Sequence, residues 1–140
     1  MTSEPVQPQG TVRPAGTIMQ PAHFPGRAPI DTYGNGGFRF ADMSHRGSIL
    51  CLPSGIHSWS TTDPSRIDPA SLKQVFAETG IEVLLVGTGP DLVPLGDAVV
   101  ERCRDAGIRA EPMSTGAAAR TFNVLLSEGR AVAAALLAVA

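Results

Sequence analysis

Two short segments of this chain carry residue types and spacings that suit chemistry: Gly87-Thr88-Gly89-Pro90, and Ser114-Thr115-Gly116 followed by Arg120 and Asn123. Glycines beside small hydroxyl residues leave backbone N–H groups approachable. A helix opening on Ser114, Thr115 and Gly116 adds its own unpaired amides and the positive end of its dipole. Arg120, just over one turn inside that helix, supplies a planar guanidinium of the kind that pairs with carboxylate or phosphate. Asn123 stands about two turns beyond Gly116, hence on the same face. Such a set can hold an anion, whether a small ligand or the carboxylate of a protein partner. The same residues also have plainer uses. Small residues at a helix start allow close packing on a sheet, Arg120 can pair locally with Glu111 or Asp91, and Asn123 can satisfy a loop carbonyl.

The specific phosphate motifs are absent. A dinucleotide-binding turn needs a third small residue where Leu92 stands, and a Walker loop needs Gly-Lys-Ser/Thr, whereas the sole lysine of the chain is Lys73. His23, His45 and His57 have no cysteine or carboxylate at ligand spacing, so the sequence points to no metal site. Ser54 near His57 lacks the Gly-x-Ser-x-Gly elbow of a hydrolase nucleophile. Cys51, midway along an apolar run, reads as a core residue, and Trp59 at a polar strand end is either an exposed anchor for a partner or a packed side chain. No catalytic constellation follows, and no cofactor is implied.

The elements that must position these residues are legible from periodicity. Residues 1–28 contain five prolines and few large apolar groups. Such a segment cannot offset its ordering entropy, which predicts an arm, mobile or lying along the surface, ahead of a single domain over residues 29–140. Asn35-Gly36 between Asp31-Thr32-Tyr33 and Phe38-Arg39-Phe40 predicts a hairpin. Further strands are expected at residues 48–52 and 56–60. Asp68-Pro69 caps a helix that Gly80 ends, with Leu72, Val75 and Phe76 inward. Residues 81–86 form an apolar strand covered on both sides. A second helix is expected from about Leu92 to Ala106, with Leu95, Val99, Cys103 and Ala106 inward. A strand over residues 108–111, a third helix over residues 115–128 and a last strand over residues 130–139 follow. A β-rich first half thus feeds strand–helix–strand–helix–strand, which makes a layered α/β domain with an open sheet. Its two candidate loops leave the carboxyl edge of parallel strands, where open sheets hold ligands.

The totals narrow the class. At 140 residues, with 43% apolar and 17% charged residues and a formal net charge of -2, this is a globular chain with no basic surplus to neutralise nucleic acid. Every basic residue but Lys73 is arginine. The N-terminus lacks a signal-peptide pattern, and the longest apolar run, residues 131–140, is too short to span a bilayer. With two separated cysteines and no disulfide framework, the expected location is cytoplasmic.

The segments GFRF with HRGSILCLPSGIHSW, then LLVGTGP, then MSTGAAARTFNVLLSEGRAVAAALL, resemble one small family. It includes the mitochondrial assembly factor 3 of NADH:ubiquinone oxidoreductase (complex I) and many bacterial proteins. The resemblance runs from about residue 30 to the C-terminus and implies a three-layer α/β fold with a mixed central sheet. It also implies that residues 131–139 form a strand. Gly87, Gly89, Thr115, Gly116, Arg120, Asn123, Glu128 and Arg130 match its signature positions, to which it attaches no chemistry. The implied function is a non-enzymatic accessory protein whose partner is another protein, a subunit of a respiratory complex. The alternative is a small-molecule-binding module or enzyme holding an anion between residues 87–90 and residues 114–116.

Overall fold

The computed structural model describes residues 23–140; residues 1–22, most of the expected arm, lie outside the described residues. Among the described residues, nine strands and three α-helices follow in order. The strands are β1 (His23–Phe24), β2 (Thr32–Gly34), β3 (Gly37–Phe40), β4 (Met43–Arg46), β5 (Ser48–Leu52), β6 (Gly55–Trp59), β7 (Val83–Gly87), β8 (Arg109–Met113) and β9 (Val132–Leu136). The α-helices are α1 (Lys73–Phe76), α2 (Asp97–Asp105) and α3 (Thr115–Ser127), with short 3-10 turns at Pro64–Arg66 and Ala70–Leu72.

The main sheet has the order β1-β6-β5-β9-β7-β8, and β2-β3-β4 form a second, antiparallel sheet. β9 joins two regimes: it pairs antiparallel with β5 and parallel with β7, so the central sheet is mixed. The expected last strand is therefore present, and its alanines sit at the middle of the sheet. β7 is buried along its whole length. Successive side chains of a strand point to opposite faces, and β7 divides accordingly. Val83 and Leu85 join a cluster with Phe38, Phe40, Ala118 and Phe122, under α3 and the small sheet. Leu84 and Val86 join Leu72, Val75, Val99 and Cys103 on the opposite face. Three layers result.

The hairpin forms where Asn-Gly predicts it, with Thr32, Tyr33 and Gly34 opposite Arg39, Phe38 and Gly37. Asn35 (φ 53°) and Gly36 (φ 81°) take the left-handed backbone that the turn requires. β4 adds a third strand that periodicity does not announce, because Met43-Ser44-His45-Arg46 has no apolar alternation.

Three expectations are corrected. The second helix begins at Asp97, not Leu92, which is 57% exposed. Pro94 removes a helical N–H and crowds the preceding residue, so residues 92–96 stay outside the helix. The helix after Asp68 is a 3-10 turn leading into the single turn α1; Asp68 Oδ1 still accepts from Ser71 N at 2.8 Å. Trp59 is buried at 5% exposure, and its indole Nε1 donates to the Ser71 carbonyl at 2.8 Å. It ties β6 to the turn before α1, so it is no exposed anchor.

Candidate functional site

β7 and β8 run parallel with Gly87 opposite Met113, so the loops that follow them leave the same edge side by side. The convergence expected from connectivity is present. At Gly87 a Cβ would stand 2.9 Å from Thr115 Cα and 3.0 Å from Leu136 Cδ2. Only glycine lets the strand end approach α3 this closely. Gly89 has φ +107° and turns the chain back toward α3.

The two loops bond to each other. Thr115 N donates to the Gly89 carbonyl at 2.8 Å, and Gly89 N donates to Thr115 Oγ1 at 3.0 Å. Thr115 Oγ1 in turn donates to the Leu137 carbonyl at 2.7 Å, just past β9. Thr88 works alike: its hydroxyl lies 2.7 Å from the Asp91 carbonyl and 3.0 Å from that of Met113, and it accepts from Val93 N at 2.9 Å. Thr88 and Thr115 are both buried. Buried hydroxyls and amides must find partners, and here they find them within the two loops and just past β9.

The helix start is better exposed. Ser114 caps α3, its hydroxyl accepting from Ala117 N at 3.3 Å. Over Gly116 lies Tyr33 of β2: a Cβ at Gly116 would sit 2.2 Å from the phenol oxygen. Arg120 donates from Nη1 to that same oxygen at 3.4 Å, a long bond, and both side chains are exposed. Glu111 bridges Arg109 at 3.2 Å rather than Arg120. Asn123 clamps the chain entering β2. Its Oδ1 accepts from Ile30 N at 2.8 Å, and its Nδ2 donates to the Ile30 carbonyl at 2.8 Å.

The structure thus brings Gly87, Thr88, Gly89, Ser114, Thr115 and Gly116 together, with Arg120 one turn further along, and gives Asn123 a separate task. Tyr33 is the residue that sequence reasoning missed. It is distant in the chain, and no local pattern points to it.

Elsewhere the chemistry is modest. Ser54 donates to a carboxylate oxygen of Glu78 and stands 3.1 Å from His57 Nε2. The Ser54 hydroxyl donates to the acid itself, whereas in a nucleophilic triad it donates to an imidazole that the acid orients. Cys51 is fully buried and burial pushes its thiol up, away from the thiolate form. No group of three or more His, Cys, Asp or Glu able to hold a metal occurs among the described residues. No helix among them is long and apolar enough to cross a membrane.

Residues 30–137 match the family described as protein of unknown function (DUF498/DUF598). The chain belongs to this family. A protein of Rhodobacter capsulatus is 43% identical over 81% of this chain and 87% of its own length. The mouse NADH dehydrogenase [ubiquinone] 1 alpha subcomplex assembly factor 3 is 32% identical over 83% of this chain. The match spans only 63% of that factor's length. Among solved structures, a Bartonella henselae protein described as an outer membrane protein superposes with a TM-score of 0.82 at 57% identity. It covers 84% of this chain and 100% of its own. The matched region, residues 30–137, contains both loops, Tyr33 and all of α3.

Proposed function

We propose that this chain is a non-enzymatic accessory protein that acts through protein–protein contacts and serves the biogenesis of a respiratory complex, NADH:ubiquinone oxidoreductase, from the cytoplasmic side. The observation that carries the reading is the mutual bonding of the two loops. Gly89 and Thr115 bond to each other, Thr88 bonds to Asp91, Val93 and Met113, and all three residues are buried. A small substrate would meet few free polar groups there. The similarity to the mitochondrial assembly factor supports the same reading. On this proposal the contact surface includes Ser114, Gly116, Tyr33 and Arg120, where an exposed guanidinium and a 42% exposed phenol suit a partner's carboxylate and an apolar neighbour. Affinity purification of the tagged chain from its native host, with mass spectrometry, tests it. Recovery of respiratory-complex subunits, lost in Arg120→Glu, is expected; recovery of the bait alone under gentle conditions counts against it.

A second reading has one observation in its favour: Arg120 has only the long 3.4 Å bond to Tyr33 and no carboxylate partner among the described residues. The chain would then hold a small anion at the start of α3, with Tyr33 moved aside. Thermal-shift screening with phosphates, nucleotides and carboxylates distinguishes the two, since a ligand that binds only the native state raises apparent stability. A shift abolished by Arg120→Glu would favour the small anion.

A further inference from the structure

The outer face of the β2-β3-β4 sheet is a different surface. Antiparallel pairing sets Thr32, Arg39 and Ser44 in one cross-strand row, with Arg46 next along β4 on the same side. Arg39 Nη1 donates to Ser44 Oγ at 2.5 Å, while Phe38 and Phe40 turn inward and are buried. Between the two exposed arginines runs an open furrow of about 330 Å3, lined also by Tyr33, Gly34, Gly37 and Ser44. At Gly37 a Cβ would stand 2.1 Å from the His45 carbonyl oxygen, so backbone rather than side chain fills this part of the sheet.

Neither arginine meets a carboxylate among the described residues. Arg39 has one hydroxyl partner, and Arg46 has no hydrogen bond or ion pair there. In a chain of net charge -2, this leaves a small cationic furrow whose charges meet no carboxylate among the described residues.

The spacing supplies the chemistry of the partner. Arg39 and Arg46 are diagonal neighbours on adjacent strands, their backbone positions roughly 7 to 8 Å apart. Alternate residues of an extended chain lie about 7 Å apart on one face. We propose that this face docks an extended acidic segment of a partner protein in which two carboxylates stand at alternate positions, one on each guanidinium. Arginine's fork takes a carboxylate through two parallel N–H···O bonds. The inference names a surface and a partner chemistry and does not depend on the accessory role, so either can fail alone.

The test titrates the isotope-labelled full chain with two short blocked peptides of equal composition. One has its two glutamates at alternate positions and the other has them adjacent. The alternate peptide is expected to shift the amides of residues 32–46 and to bind about fivefold tighter or more. Added salt should weaken it, and Arg39→Gln and Arg46→Gln should each erase the preference. Both variants are at exposed positions, and their amide spectra report whether they fold. Equal binding of the two peptides, or a response confined to other residues, overturns the proposal. Pyrophosphate is the third arm: if it binds as tightly and displaces the peptide, the furrow is a small-anion site and the docking proposal fails.

Discussion

Thr115 shows how one hydroxyl can hold three segments. It accepts from Gly89 N, donates to the Leu137 carbonyl, and opens α3. Thr115→Val keeps the shape but leaves a buried N–H and a buried C=O without partners. The expected cost is about 2 to 4 kcal/mol by urea denaturation, while Thr115→Ser, which keeps the hydroxyl, should lose much less. Arg120→Glu, at an exposed position, should change stability by less than about 0.5 kcal/mol, so any loss of partner binding there reports contact and not unfolding. His45 adds a pH dependence. Burial lowers its pKa below the ordinary 6.5, and a bond between Nε2 and the Ser48 carbonyl offsets this only in part. As pH falls, the unfolded state takes this proton first. The contribution of His45 is therefore complete above pH 6.5, declines as pH drops below it, and levels off below the folded-state pKa. Urea midpoints followed from neutral pH to about pH 5 should fall less steeply in His45→Asn than in the parent.

Elements declare themselves in a sequence when their period or their caps are strong. α3 has both: Ser114 caps it, and Ala118, Ala119 and Phe122 fall on its buried side. Phe122 is 2% exposed against the sheet, and Phe122→Ala is expected to cost about 3 to 5 kcal/mol. A loss below about 1 kcal/mol would mean that α3 is not docked on the sheet. The hairpin was legible because Asn35-Gly36 supplies the backbone its turn demands. The start of α2 was not, because Leu92 and Leu95 extend its apolar spacing backward past Pro94. β4 was invisible for the opposite reason, having no apolar alternation to reveal it. At the candidate site, connectivity sufficed to bring the two loops together. What it could not supply was the direction of each hydroxyl, or Tyr33 above Gly116, since these depend on contacts between distant parts of the chain. Gly37 is a further element-level constraint. An added Cβ would meet backbone of β4, which cannot rotate away as a side chain can. Gly37→Ala should therefore destabilise by about 1 to 3 kcal/mol, and amide exchange in β2-β3-β4 should rise before that of β7.

The molecule as a whole depends on the last of its described strands. β9 lies between β5 and β7, so the antiparallel first half and the parallel second half touch chiefly through it. Val132, Ala133, Ala134, Ala135 and Leu136 are all buried, and they supply both apolar clusters at once: Ala134 and Leu136 on one face, Ala133 and Ala135 on the other. Neither half can complete its sheet or cover its core without it. Two consequences follow for solution behaviour. Trp59 fluorescence, which reports the first half, and far-UV circular dichroism, which reports α2 and α3 in the second, should lose signal at one urea midpoint. A chain ending at Arg130 should show no cooperative transition by either probe, because β5 and β7 would each keep an unpaired edge along a buried strand. If the truncated chain kept a sharp transition for Trp59 alone, the first half would be an independent folding unit, and the placement of β9 would matter to the second half only.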